Sequence, residues 1–257
     1  MKKKREDLEI KHYKMTKKVQ LFLLHFAGGS SYSFDFLKKY NSELFEFLPL
    51  ELPGRGKRFD QDFLENKQSC VKDYVRQIKS LRNNDVPYII YGHSMGATLG
   101  LSVAFEMEKT GDSPMQLIVS GNPGPGVSND VNDEEPKIRH KLNDEDFKQE
   151  IISLGGIPKE VINNDEFFKF FIPILRADFK VVETDREYEK NTMIKIPIYA
   201  LMGSEERKKE NIENWNNFTS GHFQFQILSG DHFFIYDHPQ KITEIIKKCL
   251  ISTGVIY

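Results

Sequence analysis

Apolar residues in this chain fall into short, nearly unbroken runs separated by longer amphipathic stretches. Val19–Phe26 (VQLFLLHF), Phe45–Leu50, Tyr88–Tyr91 (YIIY), Met115–Ser120 (MQLIVS), Ile196–Met202 (IPIYALM) and Phe223–Leu228 read as strands, most of them apolar on both faces. Between them the spacing of apolar positions predicts helices over Ser33–Tyr40, Ser69–Leu81, Ala97 through Met107, Asn211–Phe218 and the stretch opened by Pro239. Ser69–Leu81 places Val71, Val75, Ile78 and Leu81 on one face, with Asp73 near its start and Arg82 at its end, as the helix dipole prefers. The last helix groups Ile242, Ile245, Ile246, Cys249 and Leu250 in the same way. Continuous apolar strands alternating with helices predict an α/β domain, a mostly parallel sheet with helices on both faces.

The alternation breaks at Gly121. Asn122-Pro123-Gly124-Pro125-Gly126 fits neither helix nor central strand, Asn129–Glu135 is polar and acidic, and the chain from there through Tyr188 is helical in pattern. The expected organisation is therefore a core from residues 1–122 and 188–257, with residues 123–187 as a helical lid insertion over the carboxyl edge of the sheet. Phe147, Ile151, Ile152, Leu154, Phe167, Phe168, Phe170, Phe171, Ile174 and Leu175 give that insertion apolar faces. Most of this surface packs the insertion down, and part of it is expected to hold an acyl chain or act as a lid.

Composition narrows the class. A chain of 257 residues builds a large core without staples, and a net charge of −2 offers no basic footprint for nucleic acid. Cys70 and Cys249, far apart, fit reduced thiols in a cytoplasmic protein better than a disulfide framework or a metal site. The basic start, Lys2-Lys3-Lys4-Arg5, runs into Glu6, Asp7 and Glu9 rather than an apolar segment, so it is not a secretory signal. No apolar run approaches the roughly 20 residues that span a bilayer, and a soluble monomer is expected.

Chemistry enters at Gly92-His93-Ser94-Met95-Gly96, between the Tyr88–Tyr91 strand and the helix after it. In a strand–turn–helix setting this G-x-S-x-G pattern pushes a serine hydroxyl outward and aims the amides of the new helix at whatever the serine attacks. Ser94 is the candidate nucleophile. The strand at Val19–Phe26 runs into Ala27-Gly28-Gly29, a small-residue loop whose amides stay accessible; Ala27 N–H and Met95 N–H are the candidate oxyanion donors. A serine needs a base and the base a carboxylate, in this fold in the chain order Ser, acid, His. Among His12, His25, His93, His140, His222, His232 and His238, His232 alone has that order and sits just after the last strand. Glu206, three residues past Gly203, is the candidate acid, with its neighbour Glu205 second; Asp231 is too near His232 in sequence, and Asp178 lies in the insertion. Arg55, Lys57 and Arg58 come after the second strand and either line an entrance for a negatively charged substrate arm or belong to a solvated loop or ion pair.

Several further segments carry a resemblance. Phe26-Ala27-Gly28-Gly29-Ser30, Leu52-Pro53-Gly54-Arg55-Gly56, Gly92-His93-Ser94-Met95-Gly96-Ala97, Val119-Ser120-Gly121, Leu154-Gly155-Gly156-Ile157-Pro158, Leu175-Arg176-Ala177-Asp178-Phe179 and Gly230-Asp231-His232-Phe233 together span nearly the whole chain. With them the chain resembles the type II thioesterases, stand-alone editing enzymes of nonribosomal peptide and polyketide synthases with the α/β hydrolase fold. The Leu-Pro-Gly-Arg-Gly and Leu-Arg-Ala-Asp-Phe segments are the narrow part of the match. Two positions depart from it: His25 stands where the family usually has proline, and Glu206 where it has a catalytic aspartate. The resemblance implies hydrolysis of acyl groups from the phosphopantetheine arm of carrier proteins, an acidic carrier protein as transient partner, and no metal or dissociable cofactor, phosphopantetheine being part of the substrate. A carboxylesterase or small lipase on the same fold, and a catalytically silent docking module for a synthase, are the competing expectations.

Overall fold

The computed structural model describes residues 18–40, 43–127, 137–154 and 164–252. Six strands form one sheet: β1 Val19–Leu24, β2 Phe45–Pro49, β3 Tyr88–His93, β4 Gln116–Ser120, β5 Ile198–Gly203 and β6 Phe223–Leu228. Their order is β2-β1-β3-β4-β5-β6, and every neighbouring pair is parallel. Among the described residues five α-helices accompany them: α1 Lys67–Leu81, α2 Met95–Lys109, α3 Asp144–Leu154, α4 Asp165–Glu183 and α5 Pro239–Ser252. This is the α/β hydrolase architecture, with the sheet parallel throughout its described strands.

Two-residue periodicity explains why the inner strands are apolar on both faces. Phe22, Leu24, Tyr88, Ile90, Leu117, Val119, Ile198 and Ala200 point to one face, where α1 and α2 meet them through Val71, Tyr74, Ile78, Leu99 and Val103. Val19, Leu21, Leu23, Ile89, Tyr91, Ile118 and Leu201 point to the other, against Phe34, Leu37 and the Ile242, Ile245 and Ile246 stripe of α5. Both faces are buried along the inner strands β1, β3, β4 and β5, while the edge strand β6 leaves Phe225 and Ile227 exposed.

The elements lie close to their expected bounds, with instructive differences. Ser33–Tyr40 is a 3-10 helix over Ser31–Lys39, begun by a capping box between Ser30 and Ser33. Asn211–Phe218 likewise lies within a 3-10 helix, Lys209–Phe218. The α1 helix starts earlier, because the Asn66 side chain accepts from Ser69 N–H and caps it. Leu81, expected on the buried face of α1, is exposed at the fraying last turn, as are Ile152, Leu154 and Phe170 among the residues expected to pack the insertion. Between β4 and β5 the described chain is helical: α3 and α4 pack through Phe147, Ile151 and Leu175. Asn129–Glu135 and most of the Leu154–Pro158 motif lie outside the described residues, as do Lys2–Arg5 and His12.

Because the strands are parallel, β1, β3, β5 and β6 deliver their following loops to a single carboxyl edge. Those four loops carry Ala27, Ser94, Glu206 and His232.

Candidate active site

Ser94 alone makes the turn between β3 and α2. Its φ of 54° and ψ of −113° fall where a side chain costs about 1–3 kcal/mol, and its neighbours hold it there. Ser94 N–H donates to Ser120 O at 2.8 Å, and Ser94 O accepts from Ala97 N–H at 3.0 Å and from Asn122 Nδ2 at 3.4 Å. Glycine is required on either side. A Cβ at Gly92 would lie 2.0 Å from Gly96 O, and one at Gly96 would lie 2.1 Å from Leu24 O. The first turn of α2 is thereby pressed against the end of β1, and Ser94 stays partly exposed at the elbow.

Strands β5 and β6 end side by side, Gly203 opposite Leu228. Their pairing continues past the sheet through Ser204 N–H to Leu228 O at 2.7 Å and Glu205 N–H to Gly230 O at 2.9 Å. The two loops therefore run together and bring Glu206 Oε1 to 2.6 Å from His232 Nδ1, while Glu206 Oε2 accepts from Gly203 N–H at 2.8 Å. Glu206 is nearly buried, its side chain 6% exposed, whereas Glu205 faces solvent. With a carboxylate as acceptor, Nδ1 carries the proton and Nε2, across the ring, presents the lone pair a base needs. His93, the residue before Ser94, lies with its ring 5.0 Å from that of His232 and its Nδ1 2.8 Å from Ser120 Oγ. Burial, reinforced by neighbouring His232, pushes the His93 pKa well below the ordinary histidine value. His93 is therefore neutral and places no second positive charge beside His232.

The loop after β1 is a tight turn closed by Gly29 N–H to Phe26 O at 2.9 Å. Gly28, third in the turn, has φ +77°, which a type II turn demands of that position and glycine meets without strain. Gly28 N–H donates to Asp178 Oδ2 at 2.8 Å. Among the described residues no acceptor takes the Ala27 N–H. Met95 opens α2, and the first-turn amides of a helix have no partner within it. Both expected oxyanion donors thus belong to segments at the carboxyl edge of the sheet.

Other expectations resolve differently. Arg55 is buried and bidentate on Asp178, at 2.6 and 2.7 Å, so it is an internal ion pair and lines no entrance. Arg58 pairs with Asp73 at 2.6 Å; Asp73 is thus more than a dipole partner at the start of a helix. Lys57 is exposed. Asp231 caps the next turn by accepting from Phe233 N–H at 2.7 Å. His140 rests on Glu183 at 2.7 Å inside the insertion, His238 Nε2 lies 2.8 Å from Ser229 O, and His222 is exposed before β6. Cys70 and Cys249 are buried thiols outside any disulfide, and burial pushes each up to about 12. Among the described residues no cluster of three histidine, cysteine or acidic side chains is placed to hold a metal ion, and no helix is long and apolar enough to cross a membrane. Sequence reasoning missed the Arg55–Asp178 pair. Its signal was present in the two narrow motifs, each seen separately and neither pointing to the other.

Known proteins share this fold over most of the chain. The sequence profile of the Thioesterase domain family matches residues 19–250. The chain is 31% identical to the gramicidin S biosynthesis protein GrsT of Aneurinibacillus migulanus, over 91% of this chain and 89% of that one. Among solved structures, ClbQ from the colibactin NRPS/PKS pathway superposes with a TM-score of 0.83 at 26% identity, covering 93% of this chain and 99% of its own. The type II thioesterase BorB from the borrelidin biosynthetic cluster superposes with a TM-score of 0.80 at 27% identity, covering 91% and 94%.

Proposed function

From the premise that this chain belongs to the Thioesterase domain family and is a thioester hydrolase, we propose that it removes acyl groups from the phosphopantetheine arm of synthase carrier proteins, using Ser94, His232 and Glu206. The observation that carries the reading is the 2.6 Å bond between Glu206 and His232, on loops that share an edge with the strained Ser94 elbow. The names of GrsT and ClbQ, tied to gramicidin S biosynthesis and to an NRPS/PKS pathway, support the substrate class and a carrier protein as transient partner. Two buried cysteines outside any disulfide suit a reducing cytoplasm.

Ser94 Oγ attacks the thioester carbonyl carbon while His232 Nε2 takes its proton. Negative charge gathers on the carbonyl oxygen, and Ala27 N–H and Met95 N–H receive it. Glu206 stays ionised, keeps the proton of His232 on Nδ1 and stabilises the imidazolium. The C–S bond breaks, the imidazolium protonates the departing pantetheine sulfur, and an acyl ester remains on Ser94. Water, deprotonated by His232, attacks that ester; the acid leaves and Ser94 recovers its proton. Each step is a proton transfer or acyl transfer within this set, and none calls on a cofactor. The helices between β4 and β5 act as the lid over this edge, and residues 123–187 are the insertion that forms it.

The test is release of free thiol from an acetyl-loaded carrier protein. Wild type should turn over and Ser94→Ala should lose all measurable release while remaining folded. Cleavage of simple esters with no action on the loaded carrier would make the protein a carboxylesterase, and activity on neither would make it a docking module.

A further inference from the structure

Asp178 sits in the middle of α4, in the insertion, yet its buried carboxylate reaches the loop after β1. Oδ2 accepts from Gly28 N–H at 2.8 Å and from Arg55 Nη1 at 2.6 Å, and Oδ1 accepts from Arg55 Nη2 at 2.7 Å. Arg55 Nη1 also donates to Gly29 O at 3.2 Å. Leu175, one helical turn before Asp178, closes over the same glycine: a Cβ on Gly28 would lie 2.5 Å from Leu175 Cδ2. The ion pair is 3% and 0% exposed, so neither side chain meets a substrate.

The contacts fall on the two residues after Ala27, and one of them bears on the central peptide of the turn. Type I and type II turns differ by a flip of the central peptide, here Ala27–Gly28. Asp178 accepts from the N–H of that peptide; after a flip the Ala27 carbonyl oxygen would face the carboxylate, and two negative poles would meet away from water. Arg55 braces the Gly29 carbonyl at the end of the turn. The direction of the loop is thus chosen by a charge pair that reaches it from elsewhere in the chain.

We infer that Arg55 and Asp178 are positioning residues for the oxyanion loop, and that through Asp178 and Leu175 the seating of α4 anchors Gly28 and so fixes where the preceding residue, Ala27, holds its amide relative to the reacting carbonyl. This rests on Ala27 as an oxyanion donor, and the test separates the two. Opening of the insertion releases Gly28, so an acyl group is attacked efficiently only when α4 is home.

The experiment compares wild type, Asp178→Asn and the double variant Arg55→Met/Asp178→Leu. Each is assayed for acetyl-pantetheine hydrolysis and for preference for a trifluoromethyl ketone, which Ser94 converts to an oxyanion, over the matching methyl ketone. Removing both buried charges together avoids the stranded ion that a single deletion leaves, and such replacements are often neutral for stability. The expected result is a double variant that melts near wild type but has lost about 100-fold in kcat, in the range for losing an oxyanion donor. KM should stay within about threefold, and ketone preference should fall as kcat does. A folded double variant, or a folded Asp178→Asn, with kcat within about threefold of wild type would overturn the inference and leave the pair a structural one. A wild type that does not prefer the trifluoromethyl ketone would sink the oxyanion assignment itself; a preference that persists in the variants would sink only the positioning role. Should neither variant fold, wild type decides. Gly28 and Gly29 amide resonances that exchange slowly before ligand and keep their positions after it support a preset loop, and amides that shift or exchange fast overturn it.

Discussion

Glu206 differs from an aspartate by one methylene, and the structure shows how the extra length is accommodated. Its carboxylate folds back so that one oxygen takes Gly203 N–H, three residues earlier, and the other takes His232 Nδ1. The same residue is anchored at the strand end and reaches the next loop. Glu206→Ala removes the group that fixes the tautomer of His232 and stabilises its charge, and kcat should fall by about 10²–10⁴-fold while Glu205→Ala stays near wild type. Glu206→Asp, with the shorter arm, should fall between them. Thiol-release kinetics on folded variants check this; equal losses at Glu205 and Glu206 would return the acid to an open choice.

At the scale of elements, the elbow depends on how closely α2 approaches β1. The approach leaves no room for a methyl group at Gly96, where a Cβ would lie 2.1 Å from Leu24 O and 2.8 Å from His25 O. Backbone carbonyls of a central strand cannot swing aside. Gly96→Ala should therefore cost about 3 kcal/mol or more and lower the melting temperature sharply. Gly100→Ala, in the same helix, meets nothing nearer than Leu117 Cδ1 at 3.4 Å. It should change stability by no more than about 1 kcal/mol, helix propensity favouring alanine by that amount. Thermal melts of the two variants side by side separate close packing from propensity; similar melts would refute the packing argument.

Across the whole molecule, stability should depend on acidity through a histidine other than His232. His25 stands at the end of β1 with Nδ1 2.9 Å from Phe26 O and Nε2 accepting from Leu52 N–H at 3.4 Å. The neutral Nδ1–H form satisfies both contacts, and a second proton would break the one with Leu52. Burial, then the Arg55 charge, lowers its pKa from 6.5 to about 4, against smaller opposing effects of Asp178, the Phe26 carbonyl and Glu51. The unfolded chain takes up this proton near pH 6.5 and the folded one near pH 4. Its contribution is thus fully present above pH 6.5 and lost as pH falls toward 4, about 3 kcal/mol in all at roughly 1.4 kcal/mol per unit. His93, lowered in the same direction by burial and by His232, steepens the loss. Urea unfolding at pH 7 and pH 5 should show wild type weakening and His25→Gln weakening less, by about one proton of slope. Parallel losses in the two would refute the assignment.

Local periodicity and chain order were enough to place the sheet, the helices and two members of the proposed catalytic set. A run such as YIIYGHSMGATLG declares its strand, turn and helix within 13 residues, because steric limits on a tight elbow act between neighbours. His232 was legible from its position after the last strand. Chain position alone puts Glu206 before Glu205; the pairing with His232 was beyond reach, since adjacent residues on a loop point in directions set by the loop beside it, and that neighbour exists only because β5 pairs with β6. Arg55 and Asp178 were visible in separate motifs 123 residues apart, but no local rule joins them. Their charges meet because the segment after β2 and the helix α4 converge on Gly28, and removal from water makes a shared partner obligatory there. Sequence by itself determined the features that arise from forces between near neighbours. The tertiary structure decided those that arise from desolvation and from the lateral order of strands, which act between residues the chain keeps far apart.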